Sequence, residues 1–515
     1  MSAETEPRRR RGAARAGQHG NTGGIQQLAE RKVQRFFPPT NIISDDEVES
    51  IHQASLKVLA EIGMDFNHPE AHALLKAAGA KIDGERVRFD PAMIEELITH
   101  APETFVLHAR NPAHSRVVGG NNMMFGTVGS PPSSHDMEGG RRTGNRADYQ
   151  NFLRLGQHFN AINFSAGYPV EPVDLHASTR HLDALYDMVT LMDKPITAYV
   201  LGEERTQDAL KIAQLMRGIS DEQFEKEPSV VTICNTNSPL KLDFNMLNGM
   251  LRFCRKGQVV CVTPFTLAGA MAPVTVAGAL VLQNAEALAG LAFCQLVKKG
   301  APVIYGGFTS NVDMKSGAPA FGTPEYMKAQ MIGGQLARRY KMPYRTSNTN
   351  AANTVDAQAA YESVFSLWGL THGGGNYIMH GAGWMEGGLV ASFEKFVLDV
   401  DLIQMVMEFL QPVEINEDAL GFEAIKDVGP GGHFFGTQHT LNRYTNAFYS
   451  PIISDWRNNQ QWVGAGSPDA YKKANQVYKQ ALADYHKPPM DEGVHEALLD
   501  FVERRKREGG APTDF

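Results

Sequence analysis

Cysteine is scarce in this chain: four thiols (Cys234, Cys254, Cys261 and Cys294) in 515 residues, with no CxxC pair among them. That scarcity argues against a disulfide framework and fits a reducing compartment. A long uninterrupted apolar run is also missing. The most apolar stretch, MAPVTVAGALVLQNAEALAGLAF, is broken by Gln283, Asn284 and Glu286, so it reads as a buried core element and no membrane partner is expected. No apolar run follows the basic N-terminal residues, so no signal peptide is expected and the protein is read as cytoplasmic. Positive charge is not in excess either. A net charge of −8 argues against nucleic acid as a partner. Neither a GxxxxGK[ST] loop nor a strand–GxGxxG–helix unit occurs, which removes the usual nucleotide cradles.

Residues 1–24 are a basic, low-complexity tail with almost no large apolar side chain, and disorder is expected there. Residues 25–150 combine helical periodicity, as in DDEVESIHQASLKVLAEIGMDF, with short alternating strands, and read as a small N-terminal α+β unit. From 151 to 420 a rhythm sets in. Short apolar runs end in Gly, Asn or Pro and are followed by helical stretches. The runs start at Asn163, Ile196, Ser229, Val259, Pro302, Tyr344, Asn376 and Pro412. That alternation predicts an α/β fold of the (β/α)8 TIM-barrel kind, with its chemistry at the C-terminal ends of the strands. An open doubly wound sheet is the competitor, but YPVEPVD after the first run supplies no phosphate loop. Residues 421–515 read as an aromatic, Gly-rich segment and capping helices, an element suited to a homo-oligomer.

Four separated motifs resemble one family: YGGFTSNVDMKSGAPAFGTPEY, DAQAAYES, GAGWMEGGLVASFEKFVLDVD and DVGPGGHFFGTQHTL. The chain resembles the trimethylamine methyltransferase superfamily. The resemblance implies a TIM barrel that passes a methyl group from an amine to the Co(I) of a corrinoid protein. In the founding enzymes pyrrolysine stands in the loop after the sixth strand, which falls near Asn348–Asn350 here. This chain has only standard residues there, in TSNTNAANTVDAQAAYE. It therefore resembles the non-pyrrolysine, glycine betaine methyltransferase-like branch. The resemblance implies a small quaternary or tertiary amine as substrate, and cobalamin carried by a partner with none tightly bound to this chain. The nearest approach to a corrinoid-binding DxHxxG motif is DLHAST at Asp174, with Thr in place of the final Gly.

A quaternary ammonium has no N–H to donate, so aromatic faces must hold it. Candidates at strand ends are Tyr168, Phe265, Phe308 and Trp384, with Phe125 reaching in from the N-terminal unit and Phe434 and Phe435 from the C-terminal segment. Asn348, Asn350 and His380 are the candidate catalytic-loop residues, although the asparagines equally suit helix capping and turn geometry. Lys315 and Arg345 are candidates for a substrate carboxylate, and Glu386 for the ammonium. His433 with His439, or His135 with Asp136, lack the partners of a metal site; no metal is expected, with Cys234 the thiol to watch. Two other readings stay open. One is a corrinoid-independent lyase or hydrolase using His380 with Glu386, and the other is a non-catalytic amine-binding subunit.

Overall fold

The computed structural model describes residues 19–22 and 24–513. The expected disordered tail falls mostly outside these residues. At its end, His19–Thr22 pair antiparallel with Ile25–Leu28.

The centre of the protein is a curled sheet of parallel strands: β1 (Asn122–Thr127), β2 (Ile196–Thr197), β3 (Val230–Cys234), β4 (Val259–Val262), β5 (Val303–Gly306), β6 (Tyr344–Ser347) and β7 (Tyr377–Ala382). They pair in the order β2-β3-β4-β5-β6-β7-β1, and Val33–Gln34 adds antiparallel to β1. Seven of the eight apolar runs foreseen by the sequence thus enter the sheet or touch it. The eighth does not. PVEI (412–415) is exposed loop, with Val413 at 78% and Ile415 at 73%. Its place is taken by β1, which the sequence assigned to the N-terminal unit. The segment around Phe164 joins β1 and β2 through single parallel bridges, Gly126 to Phe164 and Ser165 to Ile196. Gly126 is required for that approach, because a Cβ there would lie 2.5 Å from the Phe164 ring.

Side chains on the concave side form their own cluster, including Met124, Phe164, Val231, Cys261, Ile304, Tyr377 and Met379, closed at one end by Leu107 and Val118 of a hairpin. Phe164 stacks on Tyr377 at 4.0 Å, and the Tyr377 hydroxyl meets Thr197 Oγ1 at 2.6 Å. Helices cover the convex side. The helix Val276–Val297, the apolar stretch noted above, is long and apolar enough to cross a membrane by composition, yet 78% of its most apolar window is buried inside the protein. Its polar interruptions explain themselves. Asn284 Nδ2 donates to Ser55 Oγ (3.0 Å), and Glu286 accepts from Ser238 Oγ and the Leu240 N–H, both at 2.7 Å. Burying such groups is tolerable because each is paired. The N-terminal helices Asp45–Lys57, begun by a Ser44/Glu47 capping box, and Pro91–Ile98 pack on this core helix.

Past the sheet's C-terminal ends the loops form two small sheets. Phe265–Ala268, Phe308–Val312 and Pro319–Ala320 make one; Ser133–Asp136, Gly140–Thr143, Trp384–Met385 and Val390–Ser392 make the other. The groups with chemistry lie between and beneath them. Helices α1 (Ala357–Gly373) and α2 (Phe393–Phe409) follow β6 and β7, and α3 (Ala470–Ala483) packs on α2.

Candidate active site

β6 and β7 supply the floor. Alternation along β6 sends Tyr344 toward the helices, where its hydroxyl bonds the Gln330 carbonyl, and Arg345 to the concave side. The Arg345 guanidinium stands 5.1 Å from the Phe308 ring centre, donates from Nη1 to the Gly307 carbonyl (3.3 Å), and sets Nε 3.4 Å from Met379 Sδ. It is 2% exposed and makes no ion pair among the described residues. Burial lowers its pKa, but a guanidinium keeps its proton. The site therefore contains a permanent buried cation without a counter-ion.

Above it, β7 breaks its register between Ile378 and Ala382, and His380 occupies the break with φ +54°. Left-handed backbone is uncommon for a residue with a Cβ and gathers at functional sites. The bulge turns the imidazole over the sheet. His380 Nδ1 lies 3.1 Å from Ser347 Oγ, and its ring stacks on Trp384 at 5.3 Å and 21°. Burial, with the Arg345 charge beside it, holds the imidazolium pKa well below its ordinary value, so His380 is neutral. The rings continue outward. Phe308 is the hub, within 5.1 Å of Phe265, 5.6 Å of Phe321, 5.9 Å of His380 and 6.1 Å of Trp384. Phe321 contacts Trp384 at 5.1 Å, and the Tyr326 hydroxyl donates to the Ser347 carbonyl at 2.8 Å. Gly388, at φ +99°, lets the loop close on Trp384, since a Cβ there would lie 2.7 Å from the indole. Gly388 thus brings backbone against the ring.

The trimethylamine methyltransferase (MTTB) family matches residues 8–510. This chain belongs to that family. It is 35% identical over 477 residues to a glycine betaine methyltransferase of Desulfitobacterium hafniense (strain Y51), covering 92% of this chain and 99% of the relative. A trimethylamine methyltransferase MttB of Desulfitobacterium hafniense (strain DSM 10664 / DCB-2) is 28% identical over 473 residues, covering 91% of this chain and 94% of the relative. A proline betaine:corrinoid methyltransferase of Eubacterium limosum is 26% identical over 482 residues, covering 91% and 98%.

Two of the motifs resembling the trimethylamine methyltransferase family meet in this cluster. YGGFTSNVDMKSGAPAFGTPEY brings Phe308, Phe321 and Tyr326, while GAGWMEGG brings Trp384. Of the residues foreseen, Phe308, Arg345, His380 and Trp384 come together. Asn348 is adjoining: its Nδ2 donates to the Gly381 carbonyl at 3.0 Å, while its buried Oδ1 has no hydrogen-bond partner among the described residues. Phe265, a strand-end candidate from the sequence, joins them 5.1 Å from Phe308. Phe321 and Tyr326 were missed as site candidates, although the FGTPEY run held both.

The remaining candidates lie elsewhere. Phe125 points to the convex side and is fully buried among helix-facing residues. Tyr168 packs on Tyr149 and Tyr199 at 5.7 and 4.8 Å, away from Phe308. Asn350 is held by structure: Nδ2 donates to the Ala359 carbonyl, and Oδ1 accepts from Ser363 and Lys395. Lys315 is exposed at the tip of a hairpin, and Phe434 is 44% exposed in the C-terminal segment. Glu386 is paired with Arg141 at 3.1 Å. With His380 bonded to Ser347 instead, the acid/base pair of the lyase reading is not formed. Cys234 sits in the outer core with Cys254 and Cys294, and burial pushes its thiol pKa well up.

Proposed function

We propose that this protein is a methyltransferase that moves a methyl group from a betaine, a quaternary amine bearing a carboxylate, to the Co(I) of a corrinoid carried by a separate protein. The observation that carries the substrate class is Arg345. A buried cation without a counter-ion costs several kcal/mol, and a substrate carboxylate completes the pair. The rings above it suit the other end of the same molecule. Each aromatic face contributes about 0.5–2 kcal/mol to a quaternary ammonium, and a neutral His380 adds no like charge. Trimethylamine has no carboxylate for Arg345, so it fits this site less well.

The reaction asks for no proton transfer. The N–CH3 bond breaks with its electron pair left on nitrogen, giving a neutral tertiary amine, while the Co(I) pair forms the new bond to carbon. The protein's part is to hold the methyl in line, and alignment of this kind supplies most of the acceleration. The corrinoid is a second substrate, reached from the C-terminal face between the two small sheets. Names of the relatives support this reading, since they pair glycine betaine and proline betaine with methyl transfer and one names a corrinoid. On the same footing we take the curled sheet as a closed (β/α)8 barrel, supported by the bridges on both sides of Phe164. A cytoplasmic location suits four buried, unpaired thiols.

The test mixes purified protein with photoreduced cob(I)alamin and, separately, glycine betaine, proline betaine, carnitine, choline, dimethylglycine and trimethylamine. Loss of the Co(I) band and rise of methylcobalamin are followed. Transfer from a betaine with silence from trimethylamine is expected. Transfer from trimethylamine alone, or silence throughout, overturns the reading.

A further inference from the structure

Helix α2 ends at Phe409, and the chain then leaves the body. Between Gln411 and Phe448, Ala424 alone is buried. The chain returns at Tyr449, Ile452 and Ile453, which bond the Asp401 carboxylate. Along this arm Val413, Ile415, Phe422, Phe435, Tyr444 and Phe448 are 68–87% exposed. The four rings alone leave about 600 Å² of apolar surface in water. Summed along the arm, that area is of the order of the largest single patch on an ordinary monomer, about 300–600 Å². With its aliphatic residues the arm approaches the roughly 800 Å² that each partner gives to a standard interface.

The same chain carries an unfilled counterpart. On the outer face of α1, Tyr361, Val364, Phe365 and Trp368 line an apolar groove of about 480 Å³. Its own arm leaves that groove open, with Tyr361 60%, Val364 49% and Trp368 42% exposed. The surface continues onto Met405 and Phe409 of α2, at 46% and 44%. An apolar donor and an apolar acceptor thus sit on one polypeptide, each unsatisfied by its own copy.

We infer that the 411–448 arm packs into the α1–α2 groove of a second copy of this chain, and that two copies exchange arms about a twofold axis. Reciprocal exchange satisfies both surfaces and closes the assembly, whereas a one-way contact would leave one arm free to recruit further copies. The corrinoid protein is the other possible occupant, and position argues against it. This step rests on the methyltransferase reading, which requires that partner at the C-terminal face of the sheet. The arm springs from the opposite face. Phe409 packs on Phe37 and Trp368, and nearby Arg35 bonds the carbonyls of Gly375 and Gly120, just before β7 and β1 begin.

Sedimentation velocity on the full chain at micromolar concentration tests the inference without any methyl-transfer assay, so failure here is separate from failure of the proposed reaction. The wild type is expected as a dimer or a multiple of one. Phe435→Asp/Phe448→Asp in the arm and Tyr361→Asp/Val364→Asp in the groove are each expected to give monomer with unchanged far-UV circular dichroism and Tm. An equimolar mixture of the two variants restores a dimer, because one arm and one groove remain intact. Should aspartate disturb folding, Phe435→Ser/Phe448→Ser is expected to raise the dimer Kd at least tenfold. A monomeric wild type, unchanged assembly in either variant, or an arm variant that stays oligomeric but no longer binds the corrinoid protein overturns it.

Discussion

The Lys395 ammonium and the Asp399 carboxylate, one turn apart on α2, lie 2.5 Å from each other with neither side chain exposed. Asp399 also accepts the Gly383 N–H at 2.9 Å, and Lys395 donates to Asn350 Oδ1 (3.1 Å) and Ser363 Oγ (2.8 Å). The pair therefore ties the loop after β6 to the backbone that carries Trp384. Breaking a buried pair by removing one partner costs about 3–5 kcal/mol, because the other charge is stranded. Lys395→Met is expected to lower unfolding stability by that amount, and Lys395→Met/Asp399→Leu by less. Urea unfolding followed by circular dichroism measures it; a single-variant loss under about 1 kcal/mol would contradict the clamp.

Asn348 and Asn350 separate by the same logic. Asn350 has both ends of its amide engaged with helices, so Asn350→Ala is expected to cost about 1–3 kcal/mol of stability and to lower activity only as folding is lost. Asn348 keeps a buried oxygen with no partner among the described residues, next in sequence to Ser347, the partner of His380. For Asn348→Ala a fall in kcat/KM is expected with a stability loss nearer 1 kcal/mol, the ordinary worth of its bond to Gly381. Thermal melts and initial rates on the two variants, side by side, decide the assignment.

Much of this was readable in the sequence, and the failures have physical causes. The strand–helix rhythm placed Phe308, Arg345, His380 and Trp384 at strand ends because each apolar run is short and sharply terminated. The facing of a strand buried on both sides is not written in such runs, which is why Phe125 stood among the site candidates. Tyr168 lies in the loop past the Phe164 bridges, and its packing on Tyr149 and Tyr199 has no local sign. PVEI and NMMFGT look alike locally. Only long-range pairing with β7 makes a sheet strand of the second and leaves the first in solvent. The His380 bulge has no local sign beyond its glycine neighbours. Phe321 and Tyr326 reach Phe308 through the small sheet on the C-terminal face, a layer that the simple barrel pattern does not foresee.

Arg345→Met removes a buried charge that has no counter-ion among the described residues, so folding stability is expected to hold or rise. Affinity for a betaine should fall by the worth of a charged hydrogen bond, about 1.5–3 kcal/mol, or roughly 10- to 150-fold. Choline, which lacks the carboxylate, should bind both proteins alike. Isothermal titration calorimetry with glycine betaine and choline checks the pair; an unchanged betaine affinity would remove Arg345 from the site.

His380 has its folded pKa depressed, so between that value and about 6.5 the unfolded chain binds a proton that the native one does not. Its contribution is present above pH 6.5 and is lost as pH falls toward the folded value. His380→Asn, which tolerates φ +54°, is expected to reduce the slope of stability against pH on this acid limb by close to one proton. Unfolding free energies at pH 5.0, 5.5, 6.0 and 7.5 measure the difference; equal slopes would mean that the imidazole is charged in the native state.

The rings around Phe308 fill space whether or not they bind a cation, so a simple loss of affinity on removing one is ambiguous. The discriminating ligand is 3,3-dimethylbutanoate, which replaces the ammonium nitrogen of glycine betaine by carbon and keeps shape and carboxylate. Attraction to a ring face depends on the charge and contributes about 0.5–2 kcal/mol per ring. Trp384→Leu keeps an apolar surface against Phe308 and Phe321 but removes the indole face. The ratio of betaine to isostere affinity is therefore expected to fall by about 2- to 30-fold in Trp384→Leu, and similarly in Phe308→Leu. Competitive titration of both ligands gives that ratio directly. If both ligands weaken equally, the rings serve shape alone, and the ammonium is held by some other group, for which Asn348 Oδ1, buried and without a partner among the described residues, is a candidate.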